Sequence, residues 1–326
     1  MAEKTAFITG ITGQDGSYLA DHLLGQGYVV HGLVHRPESV GSGNIKHLVA
    51  DDKVLNTRLF LHTSSFEDAA DLRRVIRKAK PGEVYHLASQ SSPRLSLELP
   101  ETTFDSTGRA TLRLLEILRG LGDPCKFLHA SSSEVFGNPA TTPQNETTPI
   151  HPTTPYGAAK AFSQQMTKIY RTAHGMPVCS VILYNHESPR RDENFVTMKV
   201  ARAVARIKKG QQKTLQLGSL DARRDWGWAP DYVRGMAMML QTDKIEDFVL
   251  ATGELHRVEQ LVDQAFQCAG LNWRDHVKHD EQLANPIEPT APCGDSGKAR
   301  RLLGWQPTVS FEQMVERLVS AELDKL

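Results

Sequence analysis

Thr5-Ala6-Phe7-Ile8-Thr9-Gly10-Ile11-Thr12-Gly13-Gln14-Asp15-Gly16, followed by an amphipathic stretch from Ser17 to Gln26, decides the fold of this 326-residue chain. The short apolar run, with its aromatic and β-branched residues, reads as a strand; the glycines read as a tight turn, and the amphipathic stretch as a helix closed by Gly27. Glycines in such a turn let the backbone approach a pyrophosphate, which then rests on the N-terminus of the helix. The spacing is Gly-x-x-Gly-x-x-Gly, not the Gly-x-Gly-x-x-Gly of the dehydrogenase fingerprint. Its position at the start of a strand-helix-strand pattern therefore carries the reading.

The next apolar run, Tyr28 to Val34, ends at His35-Arg36. An acidic side chain at the end of a second strand holds a ribose 2′-hydroxyl, whereas arginine suits a 2′-phosphate, so Arg36 points to NADP over NAD. A solvated arginine at a strand end is the plainer alternative. Strands at Arg58 to His62, Glu83 to Leu87 and into Ala130 alternate with helices at Ala69 to Lys80 and Thr107 to Leu121. This alternation predicts an α/β fold, a Rossmann-type doubly wound parallel sheet. Right-handed crossovers then bring Gly10, Leu87 and Ser131 to one edge of the sheet, where ligands meet catalytic groups. After a further strand at Val178 to Leu183 the alternation breaks down at Tyr184-Asn185-His186-Glu187-Ser188-Pro189-Arg190-Arg191. The expected division is a dinucleotide-binding domain at 1–183 with a returning segment near 218–256, and a smaller substrate-binding lobe at 184–217 and 257–326.

Chemistry concentrates between Ala130 and Lys160. The hydroxyl run Ser131-Ser132-Ser133 with Glu134 follows the apolar strand, and Tyr156 and Lys160, four residues apart, share one helix face. A nearby ammonium favours a phenolate, and lowering a phenol by about three units from its usual pKa near 10 corresponds to roughly 4 kcal/mol. On that reading Tyr156 exchanges protons near neutral pH, and Glu134 supplies a second proton transfer. Alone, a Tyr-x-x-x-Lys pair is as readily an exposed helix pair; the strand and hydroxyl context argues for a site. Arg190, Arg191, Arg223 and Arg224 offer planar, charge-assisted contacts to a diphosphate.

Lysine plus arginine balance aspartate plus glutamate at 38 each, so no bulk charge draws the chain to nucleic acid. Cys125, Cys179, Cys268 and Cys293 show neither metal spacing nor a disulfide framework, which fits a reducing cytoplasm. Charged Glu3 and Lys4 lead directly into the first strand, so no signal peptide is expected. No apolar run approaches the roughly 18 residues of a membrane span. His276 and His279 lie near Asp275 and Asp280 in a polar, irregular stretch that reads as a solvated loop, and no metal is expected.

With these residues in view, the chain resembles the extended short-chain dehydrogenase/reductase family and, within it, the GDP-mannose 4,6-dehydratases. The resemblance runs along nearly the whole chain. Its specific pieces are Thr9 to Leu19, Asn185 to Arg191, Leu220-Asp221-Ala222-Arg223-Arg224-Asp225-Trp226-Gly227 and Ala251-Thr252-Gly253-Glu254. It implies that Ser132, Glu134, Tyr156 and Lys160 are catalytic, with Ser132 standing where the family usually carries threonine. It implies NADP contacts from Gly10, Thr12, Gly13, Gln14, Asp15, Gly16, Arg36, Leu87, Ala88, Ser89, Gln90, Ser91, Tyr156, Lys160, His186 and Arg191. Contacts to a GDP-sugar are implied for Ser91, Asn185, Glu187, Lys199, Arg224 and Glu288, and a homodimer by analogy.

The chain departs from the pattern in three places. Ser64-Ser65-Phe66 replaces the Gly-Asp-Leu whose aspartate holds adenine. His35-Arg36-Pro37-Glu38-Ser39-Val40 replaces a serine-rich segment that contributes tetramer contacts, and Asn285-Pro286-Ile287-Glu288 replaces an Arg-Pro-x-Glu clamp on the nucleotide. Losing that ionic hydrogen bond, worth about 1.5–3 kcal/mol, would weaken GDP binding or signal a different sugar, and the shortened segment before the motif leaves a GDP-heptose open beside the hexose. A 4-ketoreductase or epimerase needs Tyr156 and Lys160 without an elimination base, and a non-catalytic NADP-binding sensor needs neither.

Overall fold

The computed structural model describes residues 4–35, 40–41, 43–122, 124–283 and 292–326. Arg36 and Glu288 lie outside the described residues, as does Asn285. Seven parallel strands form the main sheet: β1 (Thr5–Thr9), β2 (Val29–Val34), β3 (Leu59–Thr63), β4 (Glu83–His86), β5 (Lys126–Ser132), β6 (Val178–Leu183) and, numbered in its place along the chain, β10 (Phe248–Leu250). Their order is β10-β6-β5-β4-β1-β2-β3, so the direction of winding reverses beside β1. Ala6, Phe7 and Ile8 have no exposed surface, as expected of a parallel strand covered on both faces.

Helix α1 (Gln14–Gly25) follows the glycine turn and buries Leu19, Ala20, Leu23 and Leu24 beneath the sheet. Helix α2 (Ala69–Ala79) is capped by Asp68, whose carboxylate accepts from the N–H groups of Ala70 and Asp71. Two short helices, α3 (Pro93–Glu98) and α4 (Pro100–Phe104), lead through a π-turn at Asp105–Arg109 into α5 (Ala110–Arg119). The helix expected from Thr107 thus begins earlier. Thr102, Thr103 and Gly108 are weak helix formers, but packing overrides them: a Cβ at Gly108 would lie 2.7 Å from the Phe104 ring. Ser163 on α6 (Pro155–His174) also donates to the Thr107 carbonyl at 3.3 Å.

Beyond β6, the short strand β7 (Asn185–Glu187) pairs with β9 (Trp226–Trp228), and β8 (Leu215–Leu217) pairs with β11 (Val277–His279). The stretch holding His276 and His279, expected as a loop, is therefore partly a strand, because Leu215 supplies a pairing edge that no local pattern displays. A second core, separate from the sheet, joins α7 (Val196–Lys208), α9 (Val258–Cys268) and α11 (Phe311–Leu323) through Val204, Phe266 and Leu318. Helix α8 (Ala229–Leu240), with Ala299 on α10 (Gly297–Leu303) and Trp305, belongs instead to the core of the sheet.

Asp225 ties these parts together. Fully buried, its carboxylate accepts from the Thr252 N–H and hydroxyl at 2.9 and 2.6 Å, the Gly253 N–H at 2.9 Å and the Gly294 N–H at 3.2 Å. Asp225→Ala strands three backbone donors, so unfolding free energy from urea titration followed by circular dichroism should fall by about 3 kcal/mol or more. An unchanged midpoint would show that water replaces the carboxylate without cost.

Candidate active site

The glycine turn is a cradle that side chains would fill. Gly10 holds φ +75°, and a Cβ there would meet the Ala88 N at 2.8 Å, while one at Gly16 would meet the Gly10 carbonyl at 2.1 Å. Gly13 caps α1 without a side chain, leaving its first N–H groups to a ligand. A cavity of about 570 Å³ runs from Gly10 and Thr12 past Ala88 and Ser89 to Ser64, Ser65 and Phe66. Its size and its place at the reversal of winding fit the adenosine half of a dinucleotide.

The catalytic stretch assembles through two caps. Ser132, closing β5, accepts from the Glu134 N–H at 3.3 Å, and Thr154 accepts from the Gly157 N–H at 3.0 Å to start α6 at Pro155. A Cβ at Gly157 would lie 2.5 Å from the Glu134 carbonyl oxygen, so only glycine lets the first turn of α6 seat against the turn bearing Glu134. The Tyr156 N–H donates to Ser96 Oγ at 3.1 Å, fixing α6 to α3. Ser132, Glu134, Tyr156 and Lys160 then line one cleft of about 140 Å³ with Asp15, Leu87, Ser89, Ser91, Asn185, His186 and Arg191.

The electrostatics of the tyrosine–lysine pair differ from the sequence expectation. Lys160 Nζ donates to the Ala130 carbonyl at 2.7 Å and lies 5.7 Å from the Tyr156 ring centre. Burial pushes Tyr156 up to about 12, opposed by its hydrogen bond to Ser132 and reinforced by the Glu134 charge. Lys160, also by burial, is pushed down to about 7. The downward shift expected on the phenol thus falls on the amine, because desolvation disfavours the charged form of both groups.

The cleft opens into a cavity of about 760 Å³ lined by Gln90, Ser91, Glu134, Asn185, Glu187 and Arg224, as expected, and by Arg94, Phe195, Thr197 and Trp226, which the sequence reading missed. Thr197 donates to the buried Glu187 carboxylate at 2.5 Å, ten residues away in sequence. The signal for Trp226 was its place in the block Leu220 to Gly227. Lys199 faces a different cleft of about 620 Å³ with Arg202 and Arg206, because it stands two residues, and so about 200°, round α7 from Thr197. The four arginines also separate. Arg190 lies over Tyr18 and pairs with Asp21 at 2.8 Å, Arg223 is exposed, Arg191 lies over Phe195 in the small cleft, and Arg224 lines the larger cavity.

Among solved structures, a dTDP-glucose 4,6-dehydratase from Streptomyces venezuelae with NAD bound superposes with a TM-score of 0.86 at 24% identity, covering 98% of this chain and 97% of that one. RMD from Pseudomonas aeruginosa, complexed with NADPH, gives 0.82 at 22% identity over 99% of this chain and all of that one. At these identities the likeness establishes the fold. Sequence relatives are nearer. GDP-mannose 4,6 dehydratase 2 of Arabidopsis thaliana is 48% identical, covering 98% of this chain and 87% of that protein. The human GDP-mannose 4,6 dehydratase is 42% identical (98% and 92%) and the Vibrio cholerae enzyme 41% (98% and 94%). The family model described as GDP-mannose 4,6 dehydratase matches residues 7–318, and with these relatives along nearly its full length the chain belongs to the GDP-mannose 4,6-dehydratase family.

Proposed function

We infer that this chain is an NADP-dependent GDP-mannose 4,6-dehydratase, converting GDP-mannose to its 4-keto-6-deoxy derivative with loss of water. One observation carries the chemistry: Ser132, Glu134, Tyr156 and Lys160 share a single cleft next to the glycine cradle. NADP, held along Gly10 to Gly16 and Leu87 to Ser91, supplies hydride acceptance at C4 and hydride return at C6. The choice of NADP rests on Arg36 in the sequence. Tyr156 takes the C4 hydroxyl proton while Ser132 hydrogen-bonds the C4 oxygen, and Lys160 tunes that exchange. The C4 ketone acidifies the C5 proton; Glu134 removes it and hands a proton to the departing C6 hydroxyl, which leaves as water, and when hydride returns to C6 the carbon at C5 takes up a proton as Tyr156 releases the one it held. Asn185, Glu187 and Arg224, which line the larger cavity, hold the nucleotide sugar. Relatives named for GDP-mannose favour the hexose over a heptose.

Incubation with GDP-mannose and NADP⁺ should yield a product lighter by one water, with no net build-up of NADPH. Failure to turn over any GDP-sugar sinks the reading.

We propose a homodimer, in which Phe104 on α4 and Ile169 on α6, both exposed, meet a second copy; Phe162, one heptad before Ile169, packs on Phe104 with ring centres 5.3 Å apart. Light scattering at the monomer mass would refute it. A reducing, cytoplasmic setting is proposed from the four cysteines, all free and three of them buried. Among the described residues no helix is long and apolar enough to cross a membrane.

A further inference from the structure

The segment from Tyr184 to Arg191 is stitched to the glycine turn by side chains well beyond its backbone pairing. Gln14 Nε2 donates to the His186 carbonyl at 3.0 Å, and Ser188 Oγ donates to Gln14 Oε1 at 2.8 Å. Arg190 reaches Ser17 Oγ at 3.1 Å. At the centre, His186 Nε2 lies 2.8 Å from Asp15 Oδ2 and its Nδ1 lies 2.7 Å from the Tyr184 carbonyl oxygen. A carboxylate and a carbonyl only accept, so both contacts are hydrogen bonds only when both ring nitrogens carry protons. The ring is buried and stacks on Tyr232, with centres 4.6 Å apart at 18°. His186 therefore has no ring N–H left to offer a dinucleotide, although it lines the cleft.

We propose that Asp15 and His186 form an internal ion pair that sets the glycine turn for the pyrophosphate, so that the His186 ring acts through Asp15 as a positioning group. The groups facing the pair are Arg191, which lines the same cleft, Tyr232 from α8, and Tyr156 and Lys160 from α6. Burial pushes both partners toward neutrality, but each outweighs that for the other. Asp15 is held below its ordinary 3.8 and His186 above its ordinary 6.5. The lowered carboxylate contributes stability above its unfolded value and loses it as pH falls through the lowered one. The raised imidazole contributes fully below 6.5 and loses it as pH rises through the raised value. The pair is thus intact between the two titrations and weakens as pH rises through that of His186.

Two measurements test this, and only the second rests on the NADP reading. In the first, ¹³Cε1-histidine NMR of the protein without cofactor follows His186, assigned by loss of its signal in His186→Gln. The signal should be that of a charged ring at pH 7 and titrate above 6.5, moving down in Asp15→Asn. A neutral His186 at pH 7 in the unsubstituted protein overturns the proposal, whatever the variants do. In the second, NADP⁺ binding is read by fluorescence quenching. Asp15→Asn and His186→Gln should each weaken affinity roughly tenfold, with the double variant no weaker than either. The unsubstituted protein should also lose affinity as pH rises through the His186 titration, and Asp15→Asn should not. Losses that multiply in the double variant would mean independent contacts and would equally overturn the pair.

Discussion

Glu134→Gln should slow water loss from GDP-mannose by about 10²–10⁴-fold, the usual contribution of a positioned general acid–base group. The replacement keeps the shape and leaves the backbone contacts that seat this turn, the N–H on Ser132 and the carbonyl against Gly157, in place. In the proposed mechanism oxidation at C4 relies on Tyr156, so the reduced nicotinamide should accumulate in a single turnover even as elimination stalls. Mass spectrometry for the dehydrated product and absorbance of the reduced cofactor read the two halves separately. An undiminished rate of dehydration would remove the agent of elimination and return the chain to the ketoreductases and epimerases, which need no such base.

Lys160→Met should cost a similar factor, about 10²–10⁴-fold at pH 7, and should also change the shape of the pH profile. Tyr156 and Lys160 are buried together, so their protons leave in steps that belong to the pair. The first is expected near 7, where burial has pushed Lys160, and the second near 12, where Tyr156 stands. Oxidation at C4 needs a base, so kcat/KM should rise as pH climbs through about 7 and fall away below it. With the amine gone, only the phenol remains, and the rise should move upward toward about 12. A profile identical in the two proteins would show that Lys160 serves only to hold the Ala130 carbonyl.

Much of the site was legible because it sits at strand ends. Apolar runs mark β1, β4, β5 and β6, and right-handed crossovers bring their C-termini to one edge, so Gly10, Leu87 and Ser131 were expected together before any coordinates. Residues that contribute from irregular segments were harder to see. Arg94 sits on a six-residue helix after Pro93, and Thr197 shows its part only through Glu187. The motifs Leu220–Gly227 and Ala251–Glu254 stood out as unrelated blocks, yet Asp225 makes them one hydrogen-bonded unit. The sense of the Tyr156 shift was misjudged because i, i+4 spacing reports proximity and says nothing of how much water a site has lost.

By itself the order of residues determined the doubly wound sheet, the glycine cradle and the candidate acid–base groups. These follow from short-range periodicity, backbone permissiveness at glycine and side-chain chemistry, all written within a few residues. Only the tertiary structure decided that the His186 ring is spent on Asp15, that the downward pKa shift falls on Lys160 and not on Tyr156, and that Lys199 faces a separate cleft. Each of these depends on desolvation or on a partner across the fold; Asp15 and His186 are 171 residues apart. Burial and long-range pairing are properties of the packed molecule, and no local pattern carries them.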